Sequence, residues 1–415
     1  MKPKLHIHSD SSFFGGAENM VGLILADPKM QNEFQISFSY RQTADYEVGL
    51  AKWVGKISNA FPLKLPTTMI EDVCSRLGVL SRLFRFISEP IVLVSEFITV
   101  TRLLRQLRPD ILHLNNGGYP GALSTRVAPI AAKLAGVTTC VMVVNNLAVP
   151  YDRPARIFEW PLDAWSKRFV SVYLTASNSA SERLRQVLRL PMSRASVIAN
   201  GIANQKPSAA MPAALVEACA RAEGTVKLGI AAIFEPRKGH AVLFDALRQV
   251  TEHAGKDKAG QNSAGTSYSL FVQASPPDLS AINELAAEKG ISSHVTILDV
   301  SAVDLINAID IFVLPSTQDE DFPNVNLIAM ALEKPIISTN LAGIPTQVTD
   351  RFNGLIVEPG DAVALATAIE TLGCDRKLIK SLGANGLSRF EKNYTAQTAL
   401  ENYHQLYRRL LAESD

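Results

Sequence analysis

Short apolar segments alternate along this chain with longer segments in which apolar residues recur every three or four positions. The first apolar segment, KLHIHS, leads through the loop DSSFFGGAEN into a helical pattern that starts near Glu18. Further short, β-rich segments follow: DILHL, TCVMVV and VYLTAS, and later VKLGIAAI, SLFVQA, HVTILDV, IDIFVLPS and PIIST. Strands that alternate with helices of this length are typical of βαβ units, so the pattern predicts an α/β protein with parallel sheets.

The alternation runs through the chain twice. It restarts with VKLGIAAI after the segment ASVIANGI, and a chain of 415 residues is long enough for two domains. We therefore predict one domain over residues 1–200 and a second over residues 201–390. Residues 252–266 are polar and glycine-rich, which indicates a flexible segment on the surface.

The composition is that of an ordinary folded protein. Hydrophobic residues make up 47% and charged residues 20%, and a formal net charge of +1 leaves no global field that would attract nucleic acid. The four cysteines are far apart and form no CxxC pair, which favours buried, reduced thiols in a cytoplasmic protein. The N-terminal residues turn polar at once, unlike a signal peptide, and no segment reaches the roughly 18–20 apolar residues that span a bilayer.

Two turns that follow predicted strands have the residues to bind an anion. Gly15-Gly16-Ala17-Glu18 follows the first strand, where glycines allow close approach of the backbone and the next helix offers its first N–H groups. Arg237-Lys238 follows VKLGIAAI, and two adjacent cations there could hold a pyrophosphate. Each segment could equally be a plain strand-to-helix turn.

An acidic loop follows the predicted strand IDIFVLPS. Glu320 lies between two aspartates in this loop, and residues 322–325 lead into a helix whose first N–H groups could bind ligand oxygens. Open α/β sheets bind ligands at this carboxyl edge. The helix dipole alone also explains an acidic run at a helix N-terminus.

Asparagine pairs end two predicted strands in the first half of the chain. Asn115-Asn116 follows DILHL and precedes Tyr119, and Asn145-Asn146 follows TCVMVV. Each amide offers donors and an acceptor, so these side chains could bind sugar hydroxyls. They could equally form turns.

Together these segments resemble a known family over almost the whole chain. The matching pieces, in chain order, are GGAE, PDILHL, TASNSASERL, VIANGI, PRKG, DEDFPNVNLIAMALEKPIIST, AGIP and NGLIVEPGD. Their order and spacing resemble the retaining GT-B glycosyltransferases of group 1 (family four). The resemblance implies two Rossmann-like domains with parallel sheets facing across a cleft. The N-terminal one would take the acceptor and the C-terminal one the donor nucleotide, and residues 391–415 would form a helix that crosses back to the N-terminal domain.

The resemblance also implies roles for single residues. Glu320, the first glutamate of the family's Glu-x7-Glu motif, would reach the transferred sugar, and Lys238 would neutralise the diphosphate. Asn145 stands where the family often has a histidine and completes the predicted catalytic set. The predicted donor-binding residues are Gly15, Gly16, Arg237, Phe322, Pro323, Asn324 and Val325. The predicted acceptor-side residues are Asn115, Asn116 and Tyr119.

The chain departs from the family's pattern at several polar positions. The second glutamate of the motif, which typically holds the ribose hydroxyls, is Ile328, and the arginine expected before the Lys-Gly pair is Ile233. Gln273-Ala274-Ser275 replaces a glycine-rich turn, and Thr346 replaces the glutamate that normally follows the family's GxP. These changes remove polar contacts from the predicted donor pocket, mostly on its nucleotide side.

The function implied by the resemblance is transfer of a hexosyl unit from a nucleotide-sugar donor to a glycan or lipid-linked acceptor. The anomeric configuration would be retained, and the reaction would belong to bacterial surface polysaccharide synthesis. No cofactor, metal site or nucleic-acid partner is expected. The main alternative is a catalytically weakened homologue that serves as a binding or scaffold partner, which the changes at Ile328, Ile233 and Asn145 favour. Another GT-B activity, such as that of a sugar-nucleotide epimerase or a phosphorylase, has no local support.

Two segments mix basic and apolar residues. Residues 76–108 carry many arginines among apolar residues, and residues 151–169 add two tryptophans and further basic residues. Such mixtures suit a surface that rests on an anionic membrane beside a lipid-linked acceptor, so we predict a cytoplasmic protein able to associate with a membrane surface. Core-facing helices with solvated arginines would show the same composition.

Overall fold

The computed structural model describes residues 2–53, 55, 57, 59–78, 81–152, 154–253 and 266–413. It does not describe the side chains of residues 82, 83, 85, 86, 154 and 155. The chain divides into two compact units, Met1–Asn200 with Ala396–Asp415, and Gly201–Thr395. Most of the segment 252–266, predicted to be flexible, lies outside the described residues.

The first unit is built on a parallel sheet whose described strands have the order β3-β2-β1-β4-β5-β6-β7. The strands are β1 (Lys4–Ser9), β2 (Gln35–Arg41), β3 (Ala60–Leu63), β4 (Ile111–Asn116), β5 (Thr139–Val144), β6 (Val172–Thr175) and β7 (Ala195–Val197). The helices are α1 (Gly16–Ala26), α2 (Pro28–Glu33), α3 (Ala44–Leu50), α4 (Pro66–Leu77), α5 (Ser81–Leu107), α6 (Leu123–Ala135), α7 (Pro154–Ser166), α8 (Asn178–Leu188) and, from the end of the chain, α17 (Ala396–Ala412).

The second unit is built on another parallel sheet, with its described strands in the order β10-β9-β8-β11-β12-β13. The strands are β8 (Val226–Ala231), β9 (Tyr268–Gln273), β10 (Val295–Leu298), β11 (Ile311–Leu314), β12 (Ile336–Thr339) and β13 (Gly354–Val357). The helices are α9 (Ala213–Arg221), α10 (His240–His253), α11 (Leu279–Glu288), α12 (Ala302–Ala308), α13 (Asn324–Ala331), α14 (Ile344–Gln347), α15 (Ala362–Gly373) and α16 (Arg376–Asn393).

The central strands are apolar because helices cover both faces of each sheet. Every residue of β4, β5, β11 and β12 is buried, and β5 and β11 appear in the sequence as nearly continuous apolar runs rather than alternating ones. The closing helix α17 contributes to the core of the first unit. Its Tyr407 packs edge-on against Phe34 at 5.8 Å and its hydroxyl lies 2.6 Å from Nδ1 of the buried His113.

The predicted fold class is confirmed, since both units are Rossmann-like layers of helices on a parallel sheet. The prediction of buried thiols is right for Cys140 and wrong for Cys374, which is exposed because it follows the last residue of α15 at the surface. Among the described helices, none combines the length and the apolar character needed to cross a membrane.

Candidate functional site

The strand order of each sheet reverses at one place, and most of the predicted site residues follow the strands at these places. In the second sheet, β9 lies on one side of β8 and β11 lies on the other, so the chain leaves β8 and β11 in opposite directions. In the first sheet, β1 separates β2 from β4 in the same way. The carboxyl ends of strands at such a switch point border the crevice where open α/β sheets bind ligands.

In the second unit, the turn after β8 and the loop after β11 are joined by backbone contacts. Thr317 donates its N–H to the carbonyl of Arg237 at 2.8 Å. Gly239 has φ +75°, and a Cβ at this position would lie 1.9 Å from the carbonyl oxygen of Pro315. Only glycine has both the left-handed backbone and the missing side chain that this approach requires.

These contacts place Glu320 between two cations. Its Oε2 forms an ion pair with Lys238 and lies 3.8 Å from Nη1 of Arg237. Arg237 also donates to the carbonyl of Asp319 at 3.2 Å and pairs with Glu235 at 2.6 Å. The side chains of Lys238 and Glu320 are each 12% exposed. An ion pair this shielded from water is costly to break by removing one partner.

The loop then runs into α13, and the predicted donor-binding residues form its entry. Phe322 is buried and packs edge-on against Tyr394 at 5.7 Å, while Pro323 is the N-cap residue. Asn324 and Val325 form the first turn of α13, where backbone N–H groups have no acceptor within the helix. The carbonyl of Pro323 accepts from the side chain of Gln347 at 3.1 Å, which fixes the loop to α14.

The two isoleucines that replace expected polar residues are accessible to different extents. Ile233 is 55% exposed beside the Arg237 turn, and Ile328 is half-buried one helical turn after Asn324. Neither side chain can form a hydrogen bond. At Thr346, another changed position, the backbone carbonyl accepts from Arg389 at 2.6 Å and from the hydroxyl of Tyr394 at 2.8 Å.

In the first unit, a buried polar cluster forms where β1 and β4 end. Gly15 is the N-cap of α1 and donates its N–H to Glu18 at 3.0 Å, with Gly16 as the first residue of the helix. Asn115 donates to the other oxygen of Glu18 at 3.1 Å and to Ser9 at 3.3 Å. Burial raises the pKa of the Glu18 carboxyl, and these hydrogen bonds oppose that shift.

Of the other predicted residues of this unit, Asn145 extends the cluster, whereas the side chains of Asn116 and Tyr119 have other partners. Asn145 donates to the side-chain oxygen of Asn115 at 3.0 Å. Asn116 holds its own turn, accepting from the N–H of Ala122 at 3.2 Å, which favours the turn-forming interpretation for this residue. Tyr119 is buried in the core, edge-on to Tyr173 at 6.3 Å.

A hydrogen-bonded chain of side chains, which was not predicted from the sequence, lies behind this cluster. Ser39 lies 2.9 Å from ring nitrogens of both His6 and His8, His8 contacts Ser124 at 2.8 Å, and Ser124 donates to Asp10 at 2.7 Å. Burial lowers the pKa of His6 to about 3 and lowers the pKa of His8 as well. Histidine at alternate positions of a strand, in HIHSD, was the available signal.

A small cavity lies beside these hydrogen-bonded side chains, and it too was not predicted from the sequence. It measures about 290 Å³, and its lining includes the buried Arg41 and Arg126 together with Glu71 and Glu159. The lining therefore contains both guanidinium and carboxylate groups. The cavity lies beside Gly121, at the carboxyl edge of the sheet.

In the second unit, His240 was not predicted from the sequence as a site residue. It is buried at the start of α10, and neither of its ring nitrogens has a hydrogen-bond partner in the described part of the chain. Burial and the charge of Lys238 lower its pKa to about 4, so it is neutral beside the cations.

Comparison with known proteins identifies both halves of the chain. Residues 225–375 match the family model described as "Glycosyl transferases group 1", and residues 71–206 match that of "Glycosyltransferase Family 4". These two segments of the chain therefore each match a glycosyltransferase family. The chain has the GT-B fold.

Relatives of these glycosyltransferase domains include proteins of capsule and lipid glycosylation. The chain is 38% identical over 113 residues to the capsular polysaccharide biosynthesis glycosyltransferase CapM of Staphylococcus aureus, covering 27% of this chain and 30% of CapM. It is 24% identical over 310 residues to a phosphatidyl-myo-inositol mannosyltransferase of Mycobacterium leprae, covering 71% and 73%. The first curated relatives are matched over only about 30–40% of their own lengths.

A solved structure is similar to this chain over its whole length. The Anabaena HepE protein, determined in complex with UDP, has a TM-score of 0.73 at 16% identity, covering 98% of this chain and 100% of HepE. At that identity the likeness establishes the fold.

Proposed function

We propose that this chain is a retaining glycosyltransferase that moves a hexosyl unit from a nucleotide-sugar donor to a glycan or lipid-linked acceptor in surface polysaccharide synthesis. The observation that carries the proposal is the contact of Glu320 with Lys238 and Arg237 at the switch point of the second sheet. A sugar nucleotide needs cations for its diphosphate and an oriented polar group for its sugar, and this cluster supplies both.

In this proposal Lys238 and Arg237 bind the diphosphate. Lys238 provides a compact charge and Arg237 a planar fork, and both reach the same point from one short turn. Negative charge grows on the diphosphate as the glycosidic bond breaks, so these cations stabilise the leaving group most in the transition state.

Glu320 and the entry to α13 would hold the transferred sugar. The carboxylate of Glu320 accepts hydrogen bonds from sugar hydroxyls, and the loop from Phe322 to Val325 would bring the N-terminus of α13 to the sugar, although Pro323 itself has no N–H to donate. Catalysis then rests on positioning and on leaving-group stabilisation rather than on a pair of carboxylates of glycosidase type.

The nucleotide would be bound without the usual carboxylate for its ribose. Ile328 and Ile233 present apolar surface on that side of the cluster, so the ribose hydroxyls gain no charged acceptor from either position. UDP-sugars are the first donors to test, because HepE was determined with UDP and with UDP-glucose.

The acceptor would bind in the first unit. Asn115 and Asn145 form one polar cluster with Glu18, and the adjoining cavity with Arg41 and Arg126 offers donors and acceptors for sugar hydroxyls. Asn116 and Tyr119 would act indirectly, by holding in place the segment that leads from the end of β4 to α6.

The test is incubation with a panel of sugar nucleotides and glycan or lipid-linked acceptors, with released nucleotide and product followed by mass spectrometry. We expect release of one nucleotide that depends on the acceptor, and a product whose anomeric configuration, read by NMR, matches that of the donor. Inverted product would contradict the retaining mechanism. Nucleotide binding without turnover, for every donor and acceptor, would instead support the second candidate, a binding partner weakened by the changes at Ile328, Ile233 and Asn145.

A further inference from the structure

Helix α7 in the first unit has its polar and apolar faces reversed. Its buried side chains include Arg156, Asp163 and Ser166. Asp163 is held at 2.8 Å from Arg156 and at 3.0 Å from Arg126 of α6. All of the exposed side chains in the described part of α7 are apolar, and they are Ile157, Phe158, Trp160, Pro161 and Trp165. A surface helix normally turns its apolar stripe to the core and its charged residues to water.

Helix α5 shows a second apolar stripe on the same side of the sheet. Between residues 87 and 98 its exposed side chains are Ile87, Pro90, Ile91, Val94 and Ile98, which recur every three or four positions and so lie in one row. The buried face of α5 contains Glu96. Right-handed connections from β3 to β4, β5 and β6 place α5, α6 and α7 on one face of the sheet, with α6 packed between the other two.

We call the exposed residues Ile87, Ile91, Val94 and Ile98 of α5 with Ile157, Phe158, Trp160 and Trp165 of α7 the apolar face. Large exposed apolar patches mark contact with a partner or a membrane, and α5 and α7 each contribute an exposed apolar stripe. Phe158 is 79% exposed and Trp160 is 56% exposed, so burying these rings against another surface would remove a large apolar area from water.

A positively charged groove joins the apolar face between α7 and α8. It measures about 500 Å³, and Trp160 forms part of its wall. Lys167, Arg183 and Arg189 also line it, and no carboxylate does among the described residues. Burial and the neighbouring charges of Arg189, Arg168 and Arg194 lower the pKa of Lys167, whose Nζ donates to the carbonyl of Leu188 at 2.6 Å. We call this the basic groove.

Further cations lie at the same edge of the sheet. The helices α5, α6 and α7 each end where the next parallel strand begins, so their C-terminal residues share one edge. Arg102 and Arg105 are exposed near the end of α5, Lys133 near the end of α6, and Arg168 just after α7. Since the whole chain has a formal net charge of only +1, this concentration of positive charge is local.

We propose that the apolar face and the basic groove form a docking surface for an anionic phospholipid bilayer. The rings of Phe158, Trp160 and Trp165 would enter the headgroup region, where tryptophan is favoured, and a lipid phosphate would occupy the basic groove. Charge complementarity selects this occupant, because a second copy would bring the same uncompensated cations together across a twofold axis. The proposal does not rest on glycosyl transfer.

The test is flotation of the full chain with vesicles of phosphatidylcholine alone and of phosphatidylcholine mixed equally with phosphatidylglycerol. We expect binding to the mixed vesicles only, weakening at high salt. The double variant Phe158→Ser, Trp160→Ser should lose binding. The double variant Arg183→Gln, Arg189→Gln should bind about 25-fold more weakly, at about fivefold for each cation near an anionic surface.

Matched controls come from the second unit. Val363→Ser removes an apolar side chain that is 65% exposed on α15, and Arg221→Gln removes an exposed cation at the end of α9. Both should bind like the unaltered protein. Nucleotide binding, measured in parallel on every variant, should stay unchanged, which separates this surface from the proposed donor site.

Three results would overturn the proposal. The first is failure of the unaltered protein to float with mixed vesicles at low salt. The second is an equal loss of binding in the control variants. The third is a dimer in solution that Phe158→Ser, Trp160→Ser converts to a monomer while vesicle binding persists, because that would assign the apolar face to a second copy.

Discussion

Glu320 illustrates how a single carboxylate in this protein depends on residues distant in the chain. Its partner Lys238 precedes it by 82 positions, and the two meet only because β8 and β11 are neighbours in the sheet. The ion pair holds Glu320 in one orientation, and its side chain is mostly shielded from water. Such a residue is suited to orienting a ligand, since it loses little conformational freedom when the ligand binds.

We expect Glu320→Gln to lower turnover by roughly two to three orders of magnitude, because a preorganised charged contact to the sugar is lost. The dissociation constant for the nucleotide alone should change little, since Glu320 is assigned to the sugar. Initial rates and calorimetric titration with nucleotide measure the two quantities separately.

Glu235→Gln is the matched control for this variant. Glu235 also pairs with Arg237, but its side chain is 45% exposed, so its removal should leave turnover near that of the unaltered protein. Unchanged turnover in Glu320→Gln, or the same loss in both variants, would remove Glu320 from the proposed mechanism.

Glu96 makes a residue-scale prediction about pH. It is fully buried, and burial with the charge of Asp10 raises its pKa from 4.5 to about 7. A carboxyl with a higher pKa in the folded state holds its proton more tightly there. Its contribution to stability is therefore complete below the unfolded pKa and is lost as the pH rises through about 7.

The free energy of unfolding of the unaltered protein should fall more between about pH 5 and pH 8 than that of Glu96→Gln, by up to roughly 3 kcal/mol. Urea denaturation of both proteins across this range measures the difference. Buried histidines such as His6 titrate in both proteins, so their effect cancels. Identical pH profiles would show that Glu96 does not change protonation in this range.

At the scale of elements, most strands were predictable because their apolar residues are contiguous. TCVMVV is β5 and DILHL lies in β4, since strands covered by helices on both faces need no polar side. Helix α7 was different. Its sequence has the ordinary mixture of charged and apolar residues, and only the structure shows that the charged ones point inward.

The connection from β8 to α10 allows a prediction on glycine. Gly239 and Gly360 both have positive φ, at +75° and +82°, but a Cβ at Gly360 would meet nothing within 4 Å. Gly360→Ala should therefore cost about 1–2 kcal/mol for the backbone conformation alone. Gly239→Ala should cost roughly 2 kcal/mol more, because its Cβ meets the carbonyl of Pro315.

Thermal and urea unfolding of the two variants would measure this difference. We also expect Gly239→Ala to weaken nucleotide binding, since a displaced turn carries Lys238 away from Glu320. Equal destabilisation by the two substitutions would mean that the approach to Pro315 is not a constraint.

At the scale of the whole molecule, the two units differ in how their chain is arranged. The second unit is one continuous segment, Gly201–Thr395, with its own core, whereas the first needs α17 from the end of the chain. Tyr403, Leu406 and Tyr407 of α17 are buried in the core of the first unit. Removing α17 takes all three side chains out of the core. The loss of a single large buried side chain already costs about 3–5 kcal/mol of folding free energy.

We therefore expect residues 201–395 to unfold cooperatively when produced alone and residues 1–200 to fail to fold. Circular dichroism during thermal unfolding measures both. A peptide of residues 396–413 should restore a cooperative transition to residues 1–200, and a peptide with Tyr403→Ser and Tyr407→Ser should not. Cooperative unfolding of residues 1–200 alone would contradict this role of α17.

The sequence by itself determined the fold class and the kind of chemistry to look for. Apolar periodicity is a local property, and a glycine turn or an acidic loop after a strand is visible in a few consecutive residues. The tertiary structure decided which of these local features meet. It brought Lys238 to Glu320, joined Asn115 to Glu18 and turned the tryptophans of α7 outward. Strand order and helix orientation depend on packing summed over whole units, so no short segment of the sequence contains them.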